Sequence, residues 1–444
     1  MPAPVMPTPV NPGPPPDIGL LGALSIGIGG IVGGGFFATF GLAVMGARGA
    51  TYVSFLVGGA IALITAYSYV RLTLQYPSSG GTVTFVRLGF GTGVLSASIN
   101  VLLILCYVAI MAVYARALGA YSVSFLPPDQ HEFWTRVVAS VAILFLALVN
   151  FAGAELMARF EDVFNVGKLG ILAIFIVGGF LLGHPTWGRL GIGEWVSTTT
   201  IISSGMVVFL AYEGFELISN AAQRIQNPAR TLPIAFYGSV VTAIVIYVLA
   251  TIVAIGHMPF HDMKAARDFA LSATAQRFLG SFGFGLMVFG AVFASASAIN
   301  ADFFGAEKLP VMLGENAELP KIFTVKISGR AVYSMAAVAL LAIVTVYALG
   351  LQALSAATSG GFLVVFAAVN FVNFKLAKET NSRGWISLVA GFLCIIAFGI
   401  MLFQFAADPK SRESAYAIVG IILLSIVIEL ASRWHRVERM RARS

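Results

Sequence analysis

Charge is what this 444-residue sequence has little of: Asp, Glu, Lys and Arg make up only 11% of it, against about 25% in an ordinary soluble domain. None of the four occurs in 18–47, 49–70, 88–115, 137–154, 169–188, 231–261, 278–301, 331–374 or 384–407. Soluble cores stop growing near ~300 residues, so a chain that is 58% hydrophobic cannot hide its apolar surface in a water-soluble interior. Cysteine is almost absent. Cys106 and Cys394 both fall in apolar stretches, which excludes a disulfide framework. The five histidines, at 131, 184, 257, 261 and 435, have no metal-ligand spacing, and no metal site is expected. The glycine runs neither follow a strand pattern nor precede a lysine, so no phosphate loop is present. No nucleophile–base pair stands out, so no catalytic residue and no cofactor is assigned. The start, MPAPVMPTPVNPGPPPD, holds eight prolines and no positive charge. It reads as a disordered, extended lead over 1–17 rather than a signal peptide.

What the sequence does have is length of apolar run. A bilayer core of ~30 Å needs ~20 helical residues at ~1.5 Å each. At that rise the uncharged run 331–374 would be roughly 66 Å long, so it must be two spans, with Gly350 the natural break. The expected spans are 18–47, 50–75, 90–122, 134–153, 160–183, 200–223, 232–256, 282–312, 331–349, 353–376, 384–406 and 414–433. Short alternating segments of the barrel kind are absent. The sequence therefore specifies an all-α membrane protein of twelve transmembrane helices. Residues 261–278, between two spans, read as an amphipathic helix lying outside the membrane.

Lysine and arginine set the orientation. With an even number of spans both termini lie on one side. That side carries seventeen of the 27 basic residues, among them five tail arginines from Arg433 to Arg443, and the other side nine. Both termini are expected to be cytoplasmic. The basic skin that makes the net charge +7 suits an anionic lipid leaflet, and no basic domain points to nucleic acid.

The chain also looks duplicated. Spans one to five cover 18–183 and spans six to ten cover 200–376, with two further spans over 384–433 and a basic tail over 434–444. The first span of each half is interrupted at its middle. In 27–35, GIGGIVGGG, six of nine residues are glycine, and the sixth span carries Tyr212-Glu213-Gly214-Phe215-Glu216 at mid-membrane. Interrupted helices at matching positions of two halves are the sequence pointer to a transporter's binding site. Close helix packing would account for some of these glycines, but not for three in succession opposite two buried acids.

Four segments in register, IVGGGFF (31–37), YPSSGGTVTFVRLGFG (76–91), FLAYEGFELISNAAQRIQNPARTLPIAF (209–236) and SAINADFFGAEKLPVMLGENAELP (297–320), resemble the amino acid–polyamine–organocation (APC) transporters. The resemblance covers about 18–435. It implies a five-plus-five inverted repeat with broken helices 1 and 6 (the LeuT-like fold) and two additional helices. It also implies alternating access for an amino acid or related amine. The exposed N–H groups at the start of the second half of span one would meet the substrate carboxylate at Gly33, Gly34 and Gly35. By resemblance the backbone oxygens of Ile31, Leu210 and Glu213 would accept from its ammonium. Phe209 and Tyr212 would form an aromatic lid or else ordinary core. Tyr107 and Phe293 are the guesses for side-chain selection.

Lys168 lies about nine residues into the fifth span, roughly 13 Å deep, where an ammonium is expensive and functional by default. Pairing with Glu161 or Asp162, or snorkelling, is the structural alternative. Sodium-coupled relatives hold the ion between the break of span one and hydroxyls on span eight. In sodium-independent members a lysine on span five can occupy that space, and this sequence resembles the second kind. At the matching eighth-span pair it has Ala296 and Ser297, one hydroxyl short. Lys168, Glu216 and Ser297 are therefore the expected proton-coupling residues. Glu216 fits the family's pattern of an acid after Gly-Phe. Glu213 is less typical: ionised and facing the cavity it would favour a cationic substrate, protonated or turned away a neutral one. Asp302 and Glu429 are expected as structural or interfacial partners. The sequence thus predicts a proton-coupled, sodium-independent amino-acid transporter of the cell membrane, with exchange of two amino acids as the alternative. Its partners are a small-molecule substrate, protons and lipid, its oligomeric state is open, and no enzyme activity is expected.

Overall fold

In lipid every backbone N–H and C=O must find its partner within the chain, which drives long apolar runs into helices. The computed structural model describes residues 16–152, 154–315, 319–327 and 331–441, and no strand occurs among them. The proline-rich lead therefore lies outside the described residues up to position 15, as do 442–444 of the tail.

The first span is two helices, α1 (Leu20–Ile31) and α2 (Gly34–Ala47). Then come α3 (Thr51–Gln75), the short α4 (Gly81–Phe90), α5 (Val94–Ser122), α6 (His131–Ala152) and α7 (Ala154–Leu181). The sixth span starts as α8 (Thr198–Val207) and ends as the single turn α9 (Leu217–Asn220). α10 (Pro228–His257), α11 (Phe260–Ala265), α12 (Ala270–Glu315), α13 (Val332–Ala348), α14 (Leu351–Lys375), α15 (Gly384–Ala407) and α16 (Arg412–Arg441) complete the chain. Among the described residues, ten stretches are long and apolar enough to cross a membrane. Two shorter apolar ones, Asn165–Leu181 and Val332–Ala348, lie where the fifth and ninth spans are expected.

Burial separates centre from periphery. The spans built on α8–α9 and on α14 are each 89% buried, whereas that of α6 is only 22% buried. The outer helices present apolar side chains such as Phe145, Leu148, Phe403 and Val427, as a lipid-facing surface should. Gly350 is extended and separates α13 from α14, so the break falls at the expected residue.

The region 261–278 is not the single external helix that its amphipathic pattern suggests. It is α11, one 3₁₀ turn at Arg267–Phe269, and the first turns of α12. The bend into the span comes at Gly280, whose φ of +63° and ψ of −155° suit only a residue without a side chain. Leu271, Ser272 and Ala275 are buried before that bend, so this stretch docks on the bundle.

Candidate functional site

Six glycines in nine residues weaken the first span, since each costs a helix about 1 kcal/mol relative to alanine. The helix stops at Ile31 and resumes at Gly34 across non-helical Val32 and Gly33. The Gly33 N–H is spent on the Ile31 oxygen at 2.8 Å, while the first N–H groups of α2 have no intrahelical acceptor. The sixth span does not open into a loop. It tightens into a 3₁₀ segment over Val208–Glu216, between α8 and α9, and such a stretch inside a helix marks strain or a hinge.

The two interruptions touch. A Cβ on Gly214 would sit 2.2 Å from the carbonyl carbon of Gly30, and one on Gly35 would sit 2.9 Å from Cα of Ala211. Glycine is required here because backbone meets backbone. The Tyr247 hydroxyl of α10 spans both, 2.7 Å from the Ile31 oxygen and 3.1 Å from that of Ala211. The 3₁₀ segment is pinned from α14 as well. The Leu210 N–H donates to Ser359 Oγ at 3.0 Å, and that hydroxyl donates to the Val207 oxygen at 3.1 Å.

Of the residues expected to bind substrate, Ile31, Gly33, Gly34, Gly35, Phe209, Leu210, Tyr212 and Glu213 all lie buried on the two interrupted spans. In this conformation neighbouring helices occupy the space beside the glycines. A Cβ on Gly33 would lie 2.9 Å from that of Ala298, and one on Gly34 2.8 Å from Ser295 Oγ. The two aromatics serve as core: the Tyr212 hydroxyl donates to the Phe55 oxygen at 2.9 Å, and Phe209 packs edge-on against Phe366.

Lys168 is 2% exposed, and its Nζ donates to the Gly29 oxygen at 2.7 Å. One turn earlier on α7, Asn165 Nδ2 donates to Ser25 Oγ at 3.0 Å. The fifth span is therefore stitched to α1 just before its break. The side chains of Glu161 and Asp162 lie outside the described residues. On α12, Ser297 is buried and Ala296 half-buried, but the side chains that meet the glycines of the break are Ser295 and Ala298.

Glu216 is a hub. Its Oε2 accepts from Tyr69 at 2.9 Å and from Thr82 at 2.5 Å, and its Oε1 accepts from Tyr107 at 2.6 Å. Three elements, α3, α4 and α5, thereby converge on the end of the 3₁₀ segment. Tyr107, expected to select side chains, is engaged here. Glu213 and Asp302 are also buried, but Glu213 Oε2 and Asp302 Oδ2 have no hydrogen-bond partner. Glu429 is ion-paired with Arg433 at 3.0 Å. Among the described residues no group of three His, Cys, Asp or Glu is arranged to hold a metal ion.

The two ends of the site differ. Below α1, the chain is clasped to the exit of span six: the Ile18 N–H donates to the Arg224 oxygen at 2.9 Å, the Gln226 N–H to the Ile18 oxygen at 2.8 Å, and Asp17 pairs with Arg224. The Arg224 hydrogen bond holds the Asp17 carboxyl below the usual carboxylate range. Nearby, burial and the hydrogen bond to Glu379 push the Tyr76 phenol up to about 12. At the other end, along α2, two cavities of 280 and 270 Å³ meet at Leu42. Arg116, Glu132, Asp268 and Gln352 line the first, where Arg116 grips Glu132 through two bonds of 2.9 and 3.0 Å.

Several of these contacts escape sequence reasoning. Tyr247 and Ser295 carry no motif, and Ala298, though within 297–320, carries no sign there of meeting the break. The seven-residue spacing of Tyr107 and Tyr114 on α5 was the one available sign that this face turns inward.

Residues 18–427 match the family described as amino acid permease. The chain is 30% identical over 417 residues to the inner membrane transport protein YbaT of Escherichia coli (strain K12), covering 94% of this chain and 96% of that protein. It is 25% identical to the cationic amino acid transporter 9, chloroplastic, of Arabidopsis thaliana, over 94% of this chain and 76% of that one. It is also 25% identical to the serine/threonine exchanger SteT of Bacillus subtilis (strain 168), over 68% and 69% of the two chains.

Proposed function

The chain belongs to the amino acid permease family, and on that premise we propose that it carries amino acids across the cell membrane by alternating access, driven by protons and independent of sodium. Both termini are on the cytoplasmic side in this reading, which the excess of basic residues on that side supports. The observation that carries the reading is the Lys168 ammonium on the Gly29 oxygen. It supplies a positive charge beside the break of the first span, where a bound sodium ion would otherwise be needed.

Residues 18–183 and 200–376 act as the two repeats, and the substrate lies where their broken helices meet. Its carboxylate takes the N–H groups of Gly33, Gly34 and Gly35 at the positive end of α2. Its ammonium takes the backbone oxygens of Ile31, Leu210 and Glu213. To admit it, both the Gly33 N–H and Tyr247 must release the Ile31 oxygen, and the packed glycines must part from Ser295 and Ala298, so the buried conformation is one of at least two. A proton that changes the charge of Lys168 changes the energy of the α1–α7 contact, and Ser297 and Glu216 lie along the elements that move with it. A ligand or proton shifts such an equilibrium only by its differential affinity for the two states.

Similarity to an exchanger favours a second reading, one-for-one exchange of two amino acids through the same site. Uptake of a labelled amino-acid panel into proteoliposomes separates the two. Accumulation under an inward proton gradient, without sodium and without amino acid inside, is expected. Uptake only into vesicles preloaded with amino acid, indifferent to the pH gradient, would mean exchange. Uptake that needs a sodium gradient would contradict the role given to Lys168.

A further inference from the structure

Three spans come to one edge of the membrane at a single exposed turn. α4 ends at Phe90, α5 starts at Val94, and Gly91, Thr92 and Gly93 between them are exposed. The spans of α14 and α16 end at Lys375 and Trp434, and a cation from each grips this turn. Lys375 Nζ donates to the Gly89 oxygen at 2.7 Å, and Arg433 Nη2 donates to the Thr92 oxygen at 3.2 Å. Only three residues separate those carbonyls, so even at full stretch they are about 10 Å apart. Contact therefore holds the two cations at one place, level with the ends of three spans.

Neither bond exhausts its donor. An ammonium has three N–H groups and a guanidinium five, and a neutral carbonyl cancels neither charge. Lys375 is exposed and bonds to that carbonyl alone. Arg433 is paired from inside, where fully buried Glu429 accepts from its Nε at 3.0 Å, yet its side chain stays 41% exposed. Arg87 lies in the last turn of α4, and exposed Lys378 three residues beyond Lys375. Against these four cations stand two acids, Glu429 and Glu379, the second held by Tyr76. The surroundings are apolar: Leu88 and Leu95 flank the turn, Leu430 and Trp434 flank Arg433, and all four are exposed. Capping of α4 accounts for one cation at its C-terminus, but Thr92 lies beyond that end. A free phosphate would find charge here and leave the leucines bare. A phospholipid brings an anion at this depth and hydrocarbon below it, and a tryptophan at a span end sits at the headgroup level.

We propose that the α4–α5 turn, with Lys375 and Arg433, is a binding site for the headgroup of an anionic membrane phospholipid. The phosphate takes the remaining N–H donors of the two cations, and the acyl chains run along Leu88, Leu95 and Leu430. The site lies on the face that carries the excess of basic residues, where the cytoplasmic leaflet supplies anionic lipid. It is distinct from the substrate site, although the elements that meet at the turn also present Thr82 and Tyr107 to Glu216.

The test uses the purified full-length chain in detergent and native mass spectrometry, which counts the lipids bound per chain. Phosphatidylglycerol and phosphatidylcholine with matched acyl chains are added at equal mole fraction. The unmodified protein should favour phosphatidylglycerol by at least about tenfold. Lys375→Gln and Arg433→Gln each keep an N–H donor for the carbonyl and lose the charge. Each should weaken phosphatidylglycerol binding roughly fivefold, the worth of one cation near an anionic surface. Phosphatidylcholine binding should stay unchanged, which also reports that the variant is folded. Lys375→Arg, and Lys410→Gln at the other end of α16, should match the unmodified protein. Equal binding of the two lipids by the unmodified protein overturns the site. So does an unchanged preference in Lys375→Gln, which leaves the Glu429–Arg433 pair intact. Displacement of the lipid by glycerol 3-phosphate at the lipid's own concentration would mean a soluble anion, and the lipid site falls.

Discussion

The Lys168 ammonium donates a 2.7 Å hydrogen bond to the oxygen of Gly29, three residues before the first span breaks. A carbonyl near the end of α1 and a cation from a neighbouring span are thereby one unit, reinforced by Asn165 on Ser25. Lys168→Ala should loosen that unit. It removes a charge-assisted bond and leaves a buried oxygen unsatisfied, about 1–3 kcal/mol in all. Hydrogen exchange across residues 20–31 should rise in the variant, while exchange in α16, far from the contact, should not.

Glu216 binds three hydroxyls, and a typical buried hydrogen bond contributes about 0.5–1.5 kcal/mol. Tyr107→Phe removes the one bond to Oε1, while Tyr69→Phe leaves Thr82 on Oε2. The first variant should therefore lower the unfolding temperature in detergent more than the second. Equal losses would mean that the hub does not distinguish its two oxygens.

Gly214 and Gly399 test what the glycines are for. A Cβ on Gly214 meets backbone at 2.2 Å, whereas one on Gly399 of α15 meets nothing within 4 Å. Gly214→Ala should give little folded protein, because neither helix break can retreat without losing the Tyr247 bridge. Gly399→Ala should leave yield and unfolding temperature unchanged or slightly raised.

The Asp17–Arg224 clasp carries a pH dependence of defined sign. The arginine keeps the Asp17 carboxyl below its ordinary value of 3.8. Its contribution is complete above that ordinary value and is lost as pH falls through the lower, folded value. Protection of the Ile18 and Gln226 amides should hold down to about pH 3.8 and fall as pH drops below it, after correction for the intrinsic exchange rate. In Asp17→Asn it should be low throughout and independent of pH over the same range.

Much of this was legible in the sequence, for reasons tied to particular residues. The glycines at 27–35 and the acids around Gly214 located both breaks, because a helix loses its register wherever glycine removes its side-chain support. Lys168 announced itself because an ammonium inside an apolar run has few physical excuses. The crossing of helices was not legible. Which face of α12 meets α2 depends on how two cylinders pack, so Ser295 and Ala298 appear only in the folded molecule. Tyr247 was invisible for the same reason: a tyrosine in an apolar helix gives no sign that its hydroxyl reaches two carbonyls in another part of the chain. The amphipathic pattern of 261–278 misled because Gly280, just beyond it, turns its last residues into the bundle.

The central claim is that a proton moves with the substrate and that Lys168 carries the coupling. Proteoliposomes loaded with a pH-sensitive dye and held without sodium test it directly on addition of an accepted amino acid. Acidification of the lumen is expected with the unmodified protein. With Lys168→Ala it should be lost while substrate binding persists. Amino-acid uptake with no change in lumenal pH, equal in the two proteins, would contradict the account.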